Sequence, residues 1–141
     1  YYFVNFIKCH LIKNKIIVAV IDKHIFTDDL LELERKIKKN RNVFYAIEGT
    51  DAITIITAAA VLDEIKKLFK SGIIKVWKDL ALVVIASPEE IEETPGVFSY
   101  LASLLSDKGI NVLETMSCWS ETLFVVSEKD IAKVLEALKF Q

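Results

Sequence analysis

Four glutamates, Glu89, Glu90, Glu92 and Glu93, stand immediately before the run Thr94-Pro95-Gly96-Val97. Carboxylates at this density can hold a cation, but calcium loops interleave Asp and Gly at fixed spacing to wrap oxygens around the ion. Contiguous Glu without that spacing is usually a solvated loop, so no metal is expected there. Pro95-Gly96 opens a stretch of helical spacing. A helix N-terminus leaves backbone N–H groups unpaired and carries about half a positive charge, which suits a carboxylate. Gly96 lets a ligand approach the backbone, and Pro95 fixes the entry without using an N–H. A plain Pro-Gly turn before a helix has the same residues, and spacing alone favours that plain turn.

Elsewhere the residue types that carry catalysis are scattered. His10 and His24 are isolated, with no HExxH or other ligand spacing around them. Cys118 lies beside Trp119 with no His near it in sequence, and neither Cys118 nor Cys9 belongs to a CxxC pair. None of the four glycines falls in a GxGxxG or P-loop pattern. The expectation is a protein without catalytic residues, metal or cofactor.

Composition narrows the class further. The chain has 141 residues and is 52% hydrophobic. Its apolar residues fall in short runs such as Ile16–Ile21 and Leu80–Ala86, far below the ~20 a membrane helix needs. No charged segment followed by an apolar run and a small-residue cleavage site opens it. Net charge is −2 with Lys and Glu interspersed, so no basic stripe points to nucleic acid. Two unpaired cysteines fit a reducing compartment. A soluble, cytoplasmic protein is expected.

The elements that must position the Pro-Gly segment follow from periodicity. In the second half, Leu80–Ala86 reads as a buried strand. Val97, Tyr100, Leu101, Leu104 and Leu105 recur at helical spacing, and Gly109 reads as the left-handed residue that closes the helix. Asn111–Ser117 and Thr122–Ser127 read as strands around a polar turn, and Asp130–Phe140 as a helix. The first half has the same order: strand Ile16–Ile21, helix Asp28–Lys39, strands Val43–Ile47 and Ile53–Thr57, helix Val61–Lys70 and strand Ile73–Trp77. Val43 superposes on Val112 and Ile55 on Phe124 at one offset of 69 residues. The chain is therefore one motif used twice.

Each half reads strand–helix–strand–strand–helix, the α+β ferredoxin-like order βαββαβ, with helices on one face of an antiparallel sheet. The expected modules are 1–78 and 79–141. The second lacks a last strand, and the apolar, β-prone Tyr1–Ile7, within residues 1–12, can complete its sheet from the other end of the chain. No Pro/Gly/Ser linker separates the halves, because Trp77-Lys78-Asp79-Leu80 runs directly from one to the other.

Over Leu82–Leu138 the chain resembles the ACT domains at the C-terminus of aspartate kinases. The resemblance is carried by Thr94-Pro95-Gly96-Val97, Gly109-Ile110-Asn111-Val112, the turn Ser117 to Ser120, Phe124-Val125-Val126 and Ala132-Lys133-Val134-Leu135-Glu136-Ala137-Leu138. It implies a tandem regulatory ACT protein that binds a small amino acid between the loop of one module and a strand of a neighbouring module. Carried over, Ile91 takes the apolar loop position usually held by Met. Gly96 and Val97 offer backbone groups beside Thr94 and Pro95. Asn111 and Val112 hold the ligand's amino group. Two departures stand out: Pro88 and Glu90 replace the glycines of the loop, and Thr115-Met116-Ser117 places the Met-Ile-Ser signature one residue late.

The first half opens its helix with Phe26-Thr27-Asp28-Asp29. Two carboxylates there suit the helix dipole and repel a ligand carboxylate, so the first module reads as the structural partner. No kinase domain accompanies the pair, and a homodimer or higher oligomer formed through sheet edges is expected. The leading function is amino-acid sensing; the alternative is an ACT-like scaffold that only drives oligomerisation. An RNA-binding module is excluded because neither Ala52–Thr57 nor Glu121–Ser127 carries the required exposed aromatics. An acylphosphatase-like enzyme needs an Arg in its phosphate loop, whereas Arg35 and Arg41 lie in or just after a helix.

Overall fold

The computed structural model describes residues 6–24 and 27–139. In chain order they form β1 (Lys8–Asp22), α1 (Thr27–Lys39), β2 (Phe44–Glu48), β3 (Ala52–Ala58), α2 (Leu62–Phe69), β4 (Ile73–Ala86), α3 (Val97–Ser106), β5 (Glu114–Cys118), β6 (Glu121–Ser127) and α4 (Ile131–Ala137). The hydrogen-bonded strand order is β2-β3-β1-β4-β6-β5. The pairs β1–β3, β2–β3, β4–β6 and β5–β6 are all antiparallel.

The chain divides into two compact units, one drawn from Tyr1–Asn14 with Leu80–Gln141 and the other from Lys15–Asp79. β1 and β4 are long, 15 and 14 residues, and each contributes one segment to either unit. Six strands thereby supply what two separate four-stranded sheets would have required. In the unit of Lys15–Asp79, Ile17, Ala19 and Ile21 of β1 and Ile53 and Ile55 of β3 form a core with Leu33 and Ile37 of α1 and Ile65 and Phe69 of α2. In the other, Ala81, Val83 and Ile85 of β4 and Phe124 and Val126 of β6 meet Leu101 and Leu105 of α3 and Val134 of α4. Ile7, Cys9 and Ile12 join that second core. Of the expected completing strand Tyr1–Ile7, residues 1–5 fall outside the described residues, and Phe6 and Ile7 precede the strand, which starts at Lys8.

The repeat is visible in the coordinates. β3 with its following short turn and α2 recurs as β6, its turn and α4, shifted by the same 69 residues. Registers extend the match to the first strand of each motif: Ile16 pairs with Ala58 as Leu80 pairs with Ser127. Lys15 and Asp79 are then equivalent, and both sit in the left-handed region, with φ of 53° and 57°. Each long strand thus turns out of regular extension at the residue where it passes from one unit to the other.

Element ends differ from the sequence expectation chiefly in four places. β1 starts at Lys8, well before Ile16, because ladder pairing tolerates the polar Lys13-Asn14-Lys15 that breaks the apolar run. Ile73–Trp77 and Leu80–Ala86 are one strand, β4. β5 begins at Glu114, so Asn111 and Val112 precede it in irregular chain, although the Leu113 N–H already donates to the Val125 carbonyl at 2.8 Å. The last helix, expected to reach Phe140, ends at Ala137, and Phe140 itself lies outside the described residues.

Candidate functional site

The loop between β4 and α3 is held by its own backbone. Ile91 N–H donates to the Pro88 carbonyl at 3.1 Å and Thr94 N–H to the Ile91 carbonyl at 3.2 Å, which forms a short turn over Glu89–Glu93. Thr94 Oγ1 also donates to the Glu90 carbonyl at 2.8 Å. Gly96 then takes φ 86°, a left-handed value that any side chain adopts only with strain. Its carbonyl accepts from the Tyr100 N–H at 2.9 Å, closing the first turn of α3. No side chain caps this helix start. The N–H groups of Val97, Phe98 and Ser99 therefore lack intrahelical partners, as the first turn of any helix requires.

Those groups border a pocket of 520 Å³ that includes Ile91, Glu92, Thr94, Gly96, Ser117 and Thr122. A Cβ built on Gly96 would meet nothing within 4 Å. Val97 is buried and anchors the helix start in the core. Phe98 lines the pocket, is 46% exposed, and its ring sits 6.1 Å from that of Phe124. Ser117 and Thr122 face each other across β5 and β6 with their hydroxyls 3.3 Å apart. Thr122 is only 4% exposed. The pocket can therefore offer backbone donors at one end, an apolar wall, and a floor of hydroxyls.

Of the residues singled out from sequence, Ile91, Thr94, Gly96 and Val97 come together here. Pro95 is exposed beside them. Asn111 and Val112 do not line this pocket: Asn111 is exposed, and Val112 packs against the core. Sequence reasoning missed Phe98, Ser99 and Thr122 as lining residues, and had Ser117 at a strand end and in the late Met-Ile-Ser signature without a place at the site. The available signal was Thr122, a polar residue beside the apolar run Leu123–Val126.

In the other unit a pocket also lies near a helix start, that of α1. Asp22 Oδ1 accepts the His24 N–H at 2.9 Å, and Asp22, His24 and Asp29 border a 380 Å³ pocket with Phe69 and Gly72. Phe26 lies outside the described residues. Among the described residues no cluster of three or more His, Cys, Asp or Glu could hold a metal ion.

No protein-family model matches the chain, and neither does any curated protein. Solved structures do. The regulatory subunit of aspartate kinase from Thermus flavus superposes with a TM-score of 0.71 at 11% identity, over 94% of this chain and 95% of that one. The ligand-free regulatory subunit from Thermus thermophilus gives 0.67 at 11% identity, over 91% and 92%. Clostridium acetobutylicum aspartate kinase gives 0.70 at 16% identity; the match covers 90% of this chain but only 33% of that enzyme. At these identities the likeness establishes the fold, a tandem ferredoxin-like arrangement shared with aspartate kinase regulatory regions.

Proposed function

We propose that this chain is a non-enzymatic regulatory protein that binds a small amino acid at the start of α3 and modulates a partner. The observation that carries the reading is the pocket itself. An uncapped helix N-terminus, a left-handed glycine and the apolar Ile91 converge on one cavity of 520 Å³. A ligand carboxylate is favoured at the uncapped N–H groups by roughly 0.3–1 kcal/mol. Asn111 and Val112 act from a neighbouring module on the ligand's amino group, which gives a homodimer or higher oligomer a direct role. The two free cysteines, Cys9 and Cys118, fit a cytoplasmic setting.

A panel of amino acids tested by thermal unfolding checks the proposal. A ligand that binds only the native state at a hundredfold above its Kd stabilises it by about 2.7 kcal/mol. A panel that leaves the unfolding temperature unchanged supports the second reading, a ligand-free oligomerisation scaffold. The specific observation favouring that scaffold is Glu92, a carboxylate that lines the pocket and disfavours a ligand carboxylate there.

A further inference from the structure

The first half of β4 has an open edge. β4 neighbours β1 on one side and β6 on the other. The β6 ladder covers β4 only from Leu80 to Ala86. Among the described residues no ladder serves residues 73–79 on that side, so their outward N–H and C=O groups are left for another strand. We propose that this edge is the docking site for a partner protein, which adds an extended acidic segment to it as a further strand. The proposal gives the partner of the reading above a surface, and it does not depend on amino-acid binding.

Charge selects the occupant. Residues 65–78 carry five lysines and no carboxylate. Lys66, Lys67, Lys70, Lys75 and Lys78 are all exposed, and among the described residues none of them enters an ion pair. Lys75 lies over the Trp77 ring, 4.6 Å from its centroid, a contact that keeps its ammonium close to the strand. Lysines along an open edge discourage pairing of that edge with itself in a second copy, because like charges then stand opposite each other. The same lysines complement carboxylates on an incoming strand. The end strands β2 and β5 hold one Glu each and no Lys. They are a poorer match for this edge than a segment with several carboxylates.

Ile74 supplies the apolar part of the surface. It is 60% exposed, whereas Ile73 and Val76 pack against the core of their unit. A Val or Ile opposite it on an added strand would cover that area. Strand addition takes its affinity from main-chain hydrogen bonds and its specificity from the side chains beside them. Residues 73–78 present an open backbone, one apolar contact and two ammonium groups on a single strand.

The test uses the full chain and a fluorescent octapeptide of alternating Val and Glu, blocked at both ends. Anisotropy titration should show saturable binding that weakens about tenfold between low and physiological salt. Amide hydrogen exchange should slow at residues 73–79 and stay unchanged in β2 and β5. The same peptide N-methylated at its four central residues keeps its charge but loses its ladder, and should bind about tenfold more weakly. Lys75→Glu combined with Lys78→Glu should weaken the acidic peptide about tenfold and admit a Val-Lys peptide instead. Both positions are exposed, and circular dichroism checks that the variant is folded. Equal binding of the N-methylated peptide, slowed exchange elsewhere, unchanged affinity in the charge-reversed chain or no binding of the acidic peptide overturns the proposal. A fall in the mass of the peptide-free chain on charge reversal also overturns it, because the edge then pairs with a second copy. None of these outcomes bears on amino-acid binding at α3, which the thermal panel reads separately.

Discussion

Gly96 is where one residue controls the candidate site. At φ 86° any β-carbon is strained, and a Cβ there projects into open space at the pocket edge. Gly96→Val is expected to cost about 1–2 kcal/mol of stability from the backbone alone and to abolish amino-acid binding by filling the approach to the helix N–H groups. Asp28→Ala, on α1, should leave binding unchanged. Retained affinity in the folded Gly96 variant, measured by titration, excludes this site. Ser87→Ala makes the opposite prediction for stability: removing a buried unpaired hydroxyl is expected to stabilise the unliganded protein by roughly 1 kcal/mol, read as a higher urea midpoint. Glu114 adds a pH dependence. Burial raises its carboxyl above the ordinary value of 4.5. A folded pKa above the unfolded one means that its contribution is fully present below the unfolded value and is lost as pH rises through the folded one. Glu114→Gln should therefore raise the unfolding temperature at neutral pH and leave it unchanged well below the carboxylate range.

At the scale of elements, α3 shows how the helix that forms the site is held. Val97, Leu101 and Leu105 recur every fourth residue and are all buried. Its C-terminal end closes through Gly109, at φ 70°, with Ile110 N–H bonding the Leu105 carbonyl at 3.1 Å and Gly109 N–H the Ser106 carbonyl at 2.9 Å. That double bond pattern is a Schellman closure, which satisfies carbonyls the helix leaves unpaired. Lys108 reaches from this turn to Glu136 on α4 at 3.1 Å and holds the Glu136 carboxyl below its ordinary range. Both side chains are well exposed, so Lys108→Ala is expected to change stability little, with any effect vanishing in high salt. Leu101→Ala is expected to cost about 2–5 kcal/mol, because the side chain is fully buried against β4 and β6. Denaturant unfolding of the two variants checks the contrast.

For the whole molecule, the decisive feature is that β1 and β4 each serve both units. Ile7, Cys9 and Ile12 pack into the same core as Ala81, Val83 and Phe124. A chain shortened to residues 15–141 is therefore expected to lose hydrogen-exchange protection in β4, β6 and α3. Unchanged protection there would show that the N-terminal segment is dispensable. The 16.0 kDa chain also carries β2 and β5 at the ends of its strand order, and unpaired edges invite pairing. Light scattering is expected to give a mass of two chains or more; a monomer at high concentration contradicts this.

What the sequence by itself determined is local or periodic. The 69-residue repeat, the helical face of α3, its start after Gly96 and its closure at Gly109 all follow from spacing and from backbone geometry that few residues other than glycine adopt readily. The first-half helix likewise begins where Asp28 and Asp29 suit its dipole. Tertiary structure decided the rest. Ladder pairing carried β1 back through Lys13-Asn14-Lys15 and joined Ile73–Trp77 to Leu80–Ala86, since a strand extends as far as a neighbour accepts its hydrogen bonds. It also delayed β5 to Glu114, leaving Asn111 and Val112 outside the strand. The hydroxyl floor of Ser117 and Thr122 depends on a register between β5 and β6 that no run of residues encodes alone. A pocket is a meeting of segments distant in sequence, and only folding brings them together.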